Sequence, residues 1–214
     1  NQSLDMPICY WDKKGRCIAR TAPALIKATA DDYFISVTQQ LLANGANVNV
    51  CFGDISPLER AVSYGQVKTV TVLLGAGADC KNKLLLHKCP LDNNDIIKLL
   101  LKHGVNPNER DGEGRTALFS RDGFGSPSSI DLLVKRLTLL LDWGAEINTR
   151  DDHGSTPLSY FSLCASKTRK PLFVLFNHRG AWSYICDDNG RSWAGEWIAD
   201  CADDHLNYLF NTER

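Results

Sequence analysis

The chain has 214 residues, of which 43% are hydrophobic and 23% are charged, and its formal net charge is -1 at pH 7. This composition excludes a disordered chain, which would be poor in apolar residues. The near-zero net charge gives no sign of a surface for nucleic acid or for an anionic membrane. No apolar run approaches the roughly 20 residues that a membrane-spanning helix needs.

The eight cysteines are scattered along the chain as single residues. None forms a Cys-x-x-Cys pair, and no histidine accompanies them at the spacing of a zinc site. Scattered cysteines of this kind are typical of buried thiols in a reducing compartment. We therefore expect a cytoplasmic or nuclear protein that holds no metal ion, no cofactor and no disulfide framework.

One element recurs along the chain: an apolar helix that ends at a glycine, followed by a small or apolar residue and, in the first three copies, then by Asn or Asp. The glycines, in chain order, are Gly45, Gly77, Gly104, Gly144 and Gly180. A helix that stops and turns sharply favours a left-handed residue just after its end, and glycine adopts that conformation without a steric penalty. The pattern therefore predicts five helices that each end at one of these glycines.

Two further signals recur between these helices. Ser56-Pro57 and Thr156-Pro157 are typical helix starts, in which the hydroxyl caps free N–H groups and proline occupies the first helical position. The motif Asp-x-x-Gly predicts tight turns at Asp12–Gly15, Asp111–Gly114, Asp151–Gly154 and Asp187–Gly190. Each repeat thus consists of a turn, a short capped helix, a second helix and a glycine stop.

These elements, in this order, resemble the ankyrin repeat family. The family pattern is D-x-x-G-x-T-P-L-H-x-A, then a second helix, then L-L-x-x-G-A-D-V-N, with a period of roughly 33 residues. Residues 51–83 follow it without a gap, and Gly154–Leu158 reads GSTPL. The resemblance implies an all-α solenoid of about five helix pairs with short β-hairpin-like fingers and a helix-lined groove.

On this basis residues 1–214 form a single ankyrin-repeat domain. We expect an N-terminal cap at 1–11, in which Trp11 covers the first repeat, and a C-terminal capping repeat at 187–214, in which Trp193 and Trp197 close the end. The five repeats between the caps are expected at 12–50, 51–80, 81–110, 111–150 and 151–186. The predicted core residues are Leu25, Ala28, Leu41, Leu42, Leu58, Ala61, Leu73, Leu74, Leu99, Leu100, Leu118, Leu140, Leu158 and Leu175.

Two repeats depart from the family pattern. The repeat at 81–110 lacks Asp-x-x-Gly, which predicts a blunt or absent finger around Asn82–Leu85. The repeat at 111–150 has extra residues, Arg121–Ser129, whose Gly, Pro and Ser content predicts an extended loop before a second helix from about Ile130. This insertion is either a tolerated surface loop or a contact for a partner.

The resemblance implies a protein or peptide partner, held by an adaptor or inhibitor that is itself a monomer. Family members contact partners through finger tips and the exposed ends of first helices, so the candidate residues follow from matching repeat positions. They are Phe52, Ile55, Ser63, Tyr64, Glu113, Arg115, Asp152, His153 and Ser155, with Arg121, Asp122 and Phe124 on the insertion. Phe52 and Ile55 are the sharpest choices, because exposed apolar residues often anchor an interface.

Two other functions stay open. The chain could be the recognition segment of a larger protein, or an enzyme with a polar pocket formed by Arg121 and Asp122 beside Glu59, Arg60 and Tyr64. No catalytic residue is assigned, because no nucleophile elbow, phosphate loop or zinc-protease motif occurs. Adjacent acids such as Asp151 and Asp152 are expected to be solvated charges in a turn.

Overall fold

The computed structural model describes residues 5, 8–11, 17–21, 23–81, 84–120, 127–162, 166–181 and 188. It divides into two compact units, unit 1 at Asn1–Asn106 and unit 2 at Pro107–Arg214. Within each unit, short helices pack in pairs, and neighbouring pairs stack on each other.

Unit 1 begins with a β-hairpin and continues with three helix pairs. Strand β1 (Ile8–Trp11) pairs antiparallel with β2 (Cys17–Thr21), so this hairpin crosses the boundary expected between residues 11 and 12. The helices are α1 (Ala24–Ala28), α2 (Ile35–Ala43), α3 (Pro57–Ser63), α4 (Val67–Gly75), α5 (Leu85–Lys88) and α6 (Asn94–Lys102), with a 3-10 helix at Asp32–Phe34. The first helices α1, α3 and α5 pack side by side, and so do the second helices α2, α4 and α6.

Unit 2 contains two further pairs. They comprise a 3-10 helix at Ala117–Phe119, α7 (Pro127–Asp142), α8 (Pro157–Ser162) and α9 (Ser166–His178). The 3-10 helix packs on α7 and α8, and α9 packs on the same two helices. In the described part of both units, β structure is confined to the N-terminal hairpin and an isolated bridge between Phe52 and Ile55. The expected all-α class with short fingers is therefore confirmed.

All five predicted glycine stops are present. The glycines have φ values between 80° and 87°. At the end of α2, for example, the Gly45 N–H donates to the Leu42 carbonyl at 2.9 Å and the Ala46 N–H donates to the Leu41 carbonyl at 3.0 Å. This pair of bonds is the Schellman motif, which satisfies carbonyl groups that a helix end would otherwise leave free.

A matched pair of glycines tests this conformational argument. Gly77 has φ +84°, whereas Gly75 is the last residue of α4, and a Cβ added at either position meets nothing within 4 Å. We expect Gly77→Ala to lower the free energy of unfolding by about 1–2 kcal/mol through backbone strain. Gly75→Ala should raise it by about 0.5–1 kcal/mol through helix propensity. Chemical denaturation of both variants measures the difference, and shifts in the same direction would contradict the argument.

Most of the predicted core is correct. Leu25, Ala28, Leu58, Ala61, Leu73, Leu74, Leu100, Leu118, Leu140 and Leu158 are all buried. The prediction was wrong for Leu41, Leu42, Leu99 and Leu175, which are partly exposed. These four leucines lie on second helices with consecutive apolar residues, and a helix turns only part of such a run toward its packing face.

We predicted an extended loop over the whole insertion, Arg121–Ser129. This prediction was wrong for the last three residues of the insertion. Helix α7 begins at Pro127 rather than near Ile130, so residues 127–129 are helical. Proline is tolerated there because the first turn of a helix has no intrahelical partner for its N–H. Residues 121–126, which include Arg121, Asp122 and Phe124, lie outside the described residues. Helix α7 also buries Arg136, which is 1% exposed and which the apolar pattern did not predict.

The short repeat is only partly described. Asn82 and Lys83 lie outside the described residues, Leu84 has φ 50°, and α5 begins at Leu85. No strand or bridge occurs in the part of this segment that is described, at residues 79–81 and 84. The blunt finger therefore stays a prediction. The turns ending at Gly15 and Gly190 and the closing helices at Trp193 and Trp197 also lie outside the described residues.

Candidate interaction surfaces

The finger before α3 presents one of the predicted anchors to solvent. The Phe52 N–H donates to the Ile55 carbonyl at 3.1 Å, and the Ile55 N–H donates to the Phe52 carbonyl at 3.4 Å. Gly53, with φ +62°, makes the turn between them. Ile55 is 49% exposed, whereas Phe52 is only partly exposed. Ile55 is therefore the better placed of the two to meet a partner.

The other end of α3 carries a second exposed apolar group. Ser63 is exposed, and Tyr64, which caps the C-terminus of the helix, is 56% exposed. The Arg60 guanidinium lies 5.1 Å from the centre of the Tyr64 ring, a cation–π arrangement that holds both side chains. Ile55 and Tyr64 thus flank the same short helix.

The turn between α1 and α2 carries exposed aromatic residues that sequence reasoning missed. Tyr33 is 82% exposed and Phe34 is 44% exposed, and their rings meet edge to face at 5.3 Å. Val37, one helical turn farther on, is 42% exposed. The sequence Asp31-Asp-Tyr-Phe34 contains the signal for this turn, because Asp is a typical helix cap. Asp31 caps the 3-10 helix by accepting the Tyr33 N–H at 2.9 Å, and both aromatic residues of that helix are exposed.

Hydrogen bonds join this turn to the next helix pair. The Gln66 side-chain oxygen accepts the Asp32 N–H at 2.8 Å, and the Asp32 carboxylate accepts the Thr69 N–H at 2.9 Å and the Thr69 hydroxyl at 2.7 Å. Gln66 also donates to the carbonyl of Tyr64 at 3.1 Å. Tyr33 and Tyr64 therefore lie on neighbouring turns that are held in register.

Glu59 has a structural role in α3. With Ser56 it forms a capping box, in which Glu59 accepts the Ser56 N–H at 2.9 Å and Ser56 accepts the Glu59 N–H at 3.2 Å. Its other oxygen accepts a hydrogen bond from Lys88 of the next repeat at 2.7 Å. Burial alone would raise the pKa of this carboxyl, but the bonds from Lys88 and Ser56 and the positive charge of Lys88 outweigh burial and lower it.

This lowered pKa predicts a sensitivity to acid. Because the folded-state pKa lies below the unfolded value of about 4.3, the stabilisation is complete above that value and is lost as the pH falls through the folded-state pKa. We expect wild type to lose more of its unfolding free energy than Glu59→Gln between about pH 6 and pH 3. Urea titrations of both proteins across that range measure the effect. Parallel loss in the two proteins would show that Glu59 is not the responsible group.

Unit 2 contains the two described Asp-x-x-Gly turns, and they share one geometry. The Asp111 carboxylate accepts the N–H groups of Glu113 and Arg115, both at 2.9 Å. The Asp151 carboxylate accepts the N–H groups of His153 at 3.0 Å and Ser155 at 2.8 Å. The expectation that Asp151 is a solvated charge was wrong, because its side chain is 1% exposed. Its bonds to the turn and to an arginine replace the water that it loses.

That arginine is Arg115. Its Nε donates to Asp151 at 3.3 Å, a terminal nitrogen pairs with Glu113, and the guanidinium lies 5.0 Å from the centre of the Tyr160 ring. Burial alone would lower the pKa of Arg115, but the hydrogen bond that it donates to Asp151 and the interactions with Tyr160 and Glu113 raise this pKa above its ordinary value. Arg115 therefore joins two repeats within unit 2, and it is less available to a partner than its finger position suggested.

Neighbouring fingers of unit 2 are also joined through their backbones. The Asp152 N–H donates to the Glu113 carbonyl at 3.0 Å, and the Asp188 N–H donates to the His153 carbonyl at 3.2 Å. The side chains of Glu113, Asp152 and His153 remain exposed, while Ser155 is partly exposed. Three of the predicted partner-binding residues, Glu113, Asp152 and His153, are therefore exposed at finger tips whose backbones are hydrogen-bonded to a neighbouring finger.

A row of asparagines makes a further link that sequence reasoning did not assign. Asn49, Asn108 and Asn148 each stand four residues after a helix-ending glycine. Their side chains bond to backbone groups of the following repeat. The bonds are Asp79 N–H to Asn49 at 2.8 Å, Glu146 N–H to Asn108 at 2.7 Å, Asn108 to the Gly144 carbonyl at 3.1 Å and Asn148 to the Gly180 carbonyl at 3.3 Å. These three asparagines therefore join successive repeats.

Comparison with known proteins agrees with this architecture. A family model of three ankyrin repeats matches residues 58–151. A putative ankyrin repeat protein, FPV031 of fowlpox virus (strain NVSL), is 30% identical over 154 residues, which cover 65% of this chain and 43% of that protein. Residues 58–151 therefore match the ankyrin repeat family. The family prediction made from the sequence is thereby confirmed.

Two other relatives of this ankyrin-repeat chain carry functional names. Interferon antagonist OPG040 of vaccinia virus (strain Western Reserve) is 32% identical over 93 residues, which cover 42% of this chain and 33% of that protein. Interferon antagonist OPG039 of monkeypox virus matches with the same identity and coverage. The chain therefore spans less than half the length of the relatives that it matches.

Ankyrin repeats generally mediate protein–protein interaction and generally do not catalyse reactions. Arg121 and Asp122, which were considered for a polar pocket, lie outside the described residues. Glu59, which was considered with them, is held by Ser56 and Lys88. No group of three or more potential metal ligands occurs among the residues that are described. Within the same residues, no helix combines the length and the apolar character that a membrane span requires.

Proposed function

We propose that this ankyrin-repeat chain binds a protein partner through the exposed apolar residues of unit 1. One observation carries the proposal. Six large hydrophobic residues are exposed in the described part of the chain, and all except Trp143 lie in unit 1: Tyr33, Phe34, Val37, Ile55 and Tyr64. Aromatic side chains in this setting bury a large area for little loss of conformational entropy, so they often contribute most to an interface.

The arrangement of these residues supports an interface rather than scattered exposure. Tyr33 and Phe34 lie on the turn before α2, Tyr64 lies on the turn after α3, and Gln66 bonds the two turns together. Such a preorganised surface loses little entropy on binding. Within unit 1, Phe52 and Ser63 would then add contacts beside these residues. In unit 2, candidate contacts are proposed from their repeat positions alone: Glu113, Asp152, His153, Ser155 and Arg115.

Within this role, we propose that the chain acts as an inhibitor that occludes its partner. The support is the name of the vaccinia and monkeypox relatives, which are interferon antagonists with 32% identity to the matched segment. An adaptor that joins two proteins is the alternative, and it would need a second binding surface. Because the chain spans less than half of each relative, recognition within a longer protein also remains a candidate.

We place the protein in the cytosol or nucleus as a monomer. Cys51 and Cys80 are free thiols. Free thiols persist in a reducing compartment, which supports this placement.

Site-specific photocrosslinking tests the binding role. A photoreactive amino acid is placed at Ile55, at Tyr64 or, as a matched exposed control, at Trp143. We expect positions 55 and 64 to crosslink one discrete protein from host-cell extract, and position 143 to crosslink it weakly or not at all. Crosslinking that is equal at all three positions, or absent at positions 55 and 64, would contradict the proposed surface.

A further inference from the structure

The three first helices of unit 1 carry a basic residue at the same place. Each basic residue lies two positions after a buried leucine and immediately before a small buried residue. The three are Lys27 on α1, Arg60 on α3 and Lys88 on α5, and the helices that carry them pack side by side. These residues, here called the basic row, therefore follow one another from repeat to repeat along the first-helix face.

The charges of the basic row are available to a ligand. Lys27 is exposed, and the Arg60 guanidinium is held over the Tyr64 ring. Within the described residues, no carboxylate pairs with either side chain. Lys88 bonds to Glu59, but its side chain is 42% exposed and an ammonium group has two further N–H donors to offer.

Acidic residues border the basic row and limit what fits there. Exposed Asp54 stands at the finger before α3, and exposed Asp31 and Asp92 stand at the turns that follow α1 and α5. A broad acidic surface would meet these carboxylates as well as the basic row, and like charges would repel it. A narrow acidic chain lying along the row would avoid them.

The spacing of the helices suggests the spacing of the ligand charges. Packed helices lie about 8–10 Å apart. An extended polyproline II chain repeats every three residues and advances about 9 Å in doing so. We propose that the basic row binds an extended acidic peptide segment of the partner, with Glu or Asp at every third residue. This inference rests on the proposed function, because it assigns the chemistry of a partner that binds unit 1, where Arg60 of the basic row contacts Tyr64.

A labelled peptide of three Pro-Pro-Glu units tests the inference by fluorescence anisotropy. The control peptides replace Glu with Gln, replace Glu with Lys, or carry Glu at every second residue. We expect the first peptide to bind at least fivefold more tightly than any control. We expect Lys27→Gln and Arg60→Gln each to weaken its binding about two- to fivefold, as for a partly exposed ion pair. Melting curves verify that each variant is folded.

Lys68→Gln is the matched variant, because Lys68 is an exposed lysine on the second helix α4 of the same unit. It should leave the affinity unchanged. The inference is overturned if the Gln peptide binds equally well, or if Lys68→Gln weakens binding as much as Lys27→Gln. Tighter binding of a single-stranded oligonucleotide with the same dependence on the row would also overturn it. Failure here with successful crosslinking at Ile55 and Tyr64 would reject only the acidic ligand and leave the proposed function standing.

Discussion

Replacing Asp151 by alanine is expected to lower the free energy of unfolding by about 3–5 kcal/mol, the range for removing one partner of a buried ion pair. The Asp151 carboxylate is 1% exposed and accepts bonds from the N–H groups of His153 and Ser155 and from Arg115. Alanine would leave these donors without their acceptor and would remove the charge that faces Arg115. Chemical denaturation followed by circular dichroism measures the loss.

Two variants separate the contributions of Asp151. Asp111→Ala removes the equivalent turn carboxylate, which is partly exposed and accepts the N–H groups of Glu113 and Arg115, so we expect a loss of only about 1–2 kcal/mol. Asp151→Asn preserves the turn bonds and removes the charge, so its cost should fall between those of the two alanine variants. If Asp151→Ala costs no more than Asp111→Ala, the link between Asp151 and Arg115 does not stabilise unit 2.

Gly114→Ala is expected to lower the free energy of unfolding by about 2–4 kcal/mol, through backbone strain and crowding together. Gly114 has φ +73°, and a Cβ there would clash with the Asp152 carboxylate oxygen and would lie 3.1 Å from the Asp152 backbone nitrogen. The side chain of Asp152 can rotate away, but its backbone nitrogen is bonded to the Glu113 carbonyl. The substitution therefore acts on the contact between two fingers.

Gly144→Ala is the control for this variant. Gly144 has φ +87°, but a Cβ there meets nothing within 4 Å, so only the strain of about 1–2 kcal/mol applies. Denaturant unfolding gives the loss of unfolding free energy for each variant. The difference between the two losses measures how much the contact between neighbouring fingers contributes to stability. Equal losses would mean that neighbouring fingers do not depend on the close approach of Asp152 to Gly114.

The repeating scaffold was predictable because its signals are local. A helix that ends in a left-handed glycine needs a particular residue at one position, and all five such glycines have the expected φ. The Ser56-Pro57 helix start is likewise decided by the groups that cap the first turn. The same rule, applied to Pro127, would have placed the start of α7 correctly.

The surface was less predictable because exposure and pairing depend on neighbouring repeats. The residues next to Asp151 in the sequence indicate only a turn, and its partner Arg115 lies 36 positions earlier in the chain. Tyr33 and Phe34 were assigned no role from the sequence, although both are exposed next to the helix cap at Asp31. The family resemblance indicates which position of the repeat each residue occupies. The contacts between repeats then decide which of these residues are exposed to a partner.

The central claim is that unit 1 binds a protein through Ile55 and Tyr64, and a quantitative affinity capture tests it most directly. Wild type, the double variant Ile55→Ser/Tyr64→Ala and the control Trp143→Ser are immobilised at equal density after their melting temperatures have been compared. We predict that partners recovered with wild type are retained by the control and reduced at least tenfold with the double variant. Equal recovery by the folded double variant and wild type would contradict the claim.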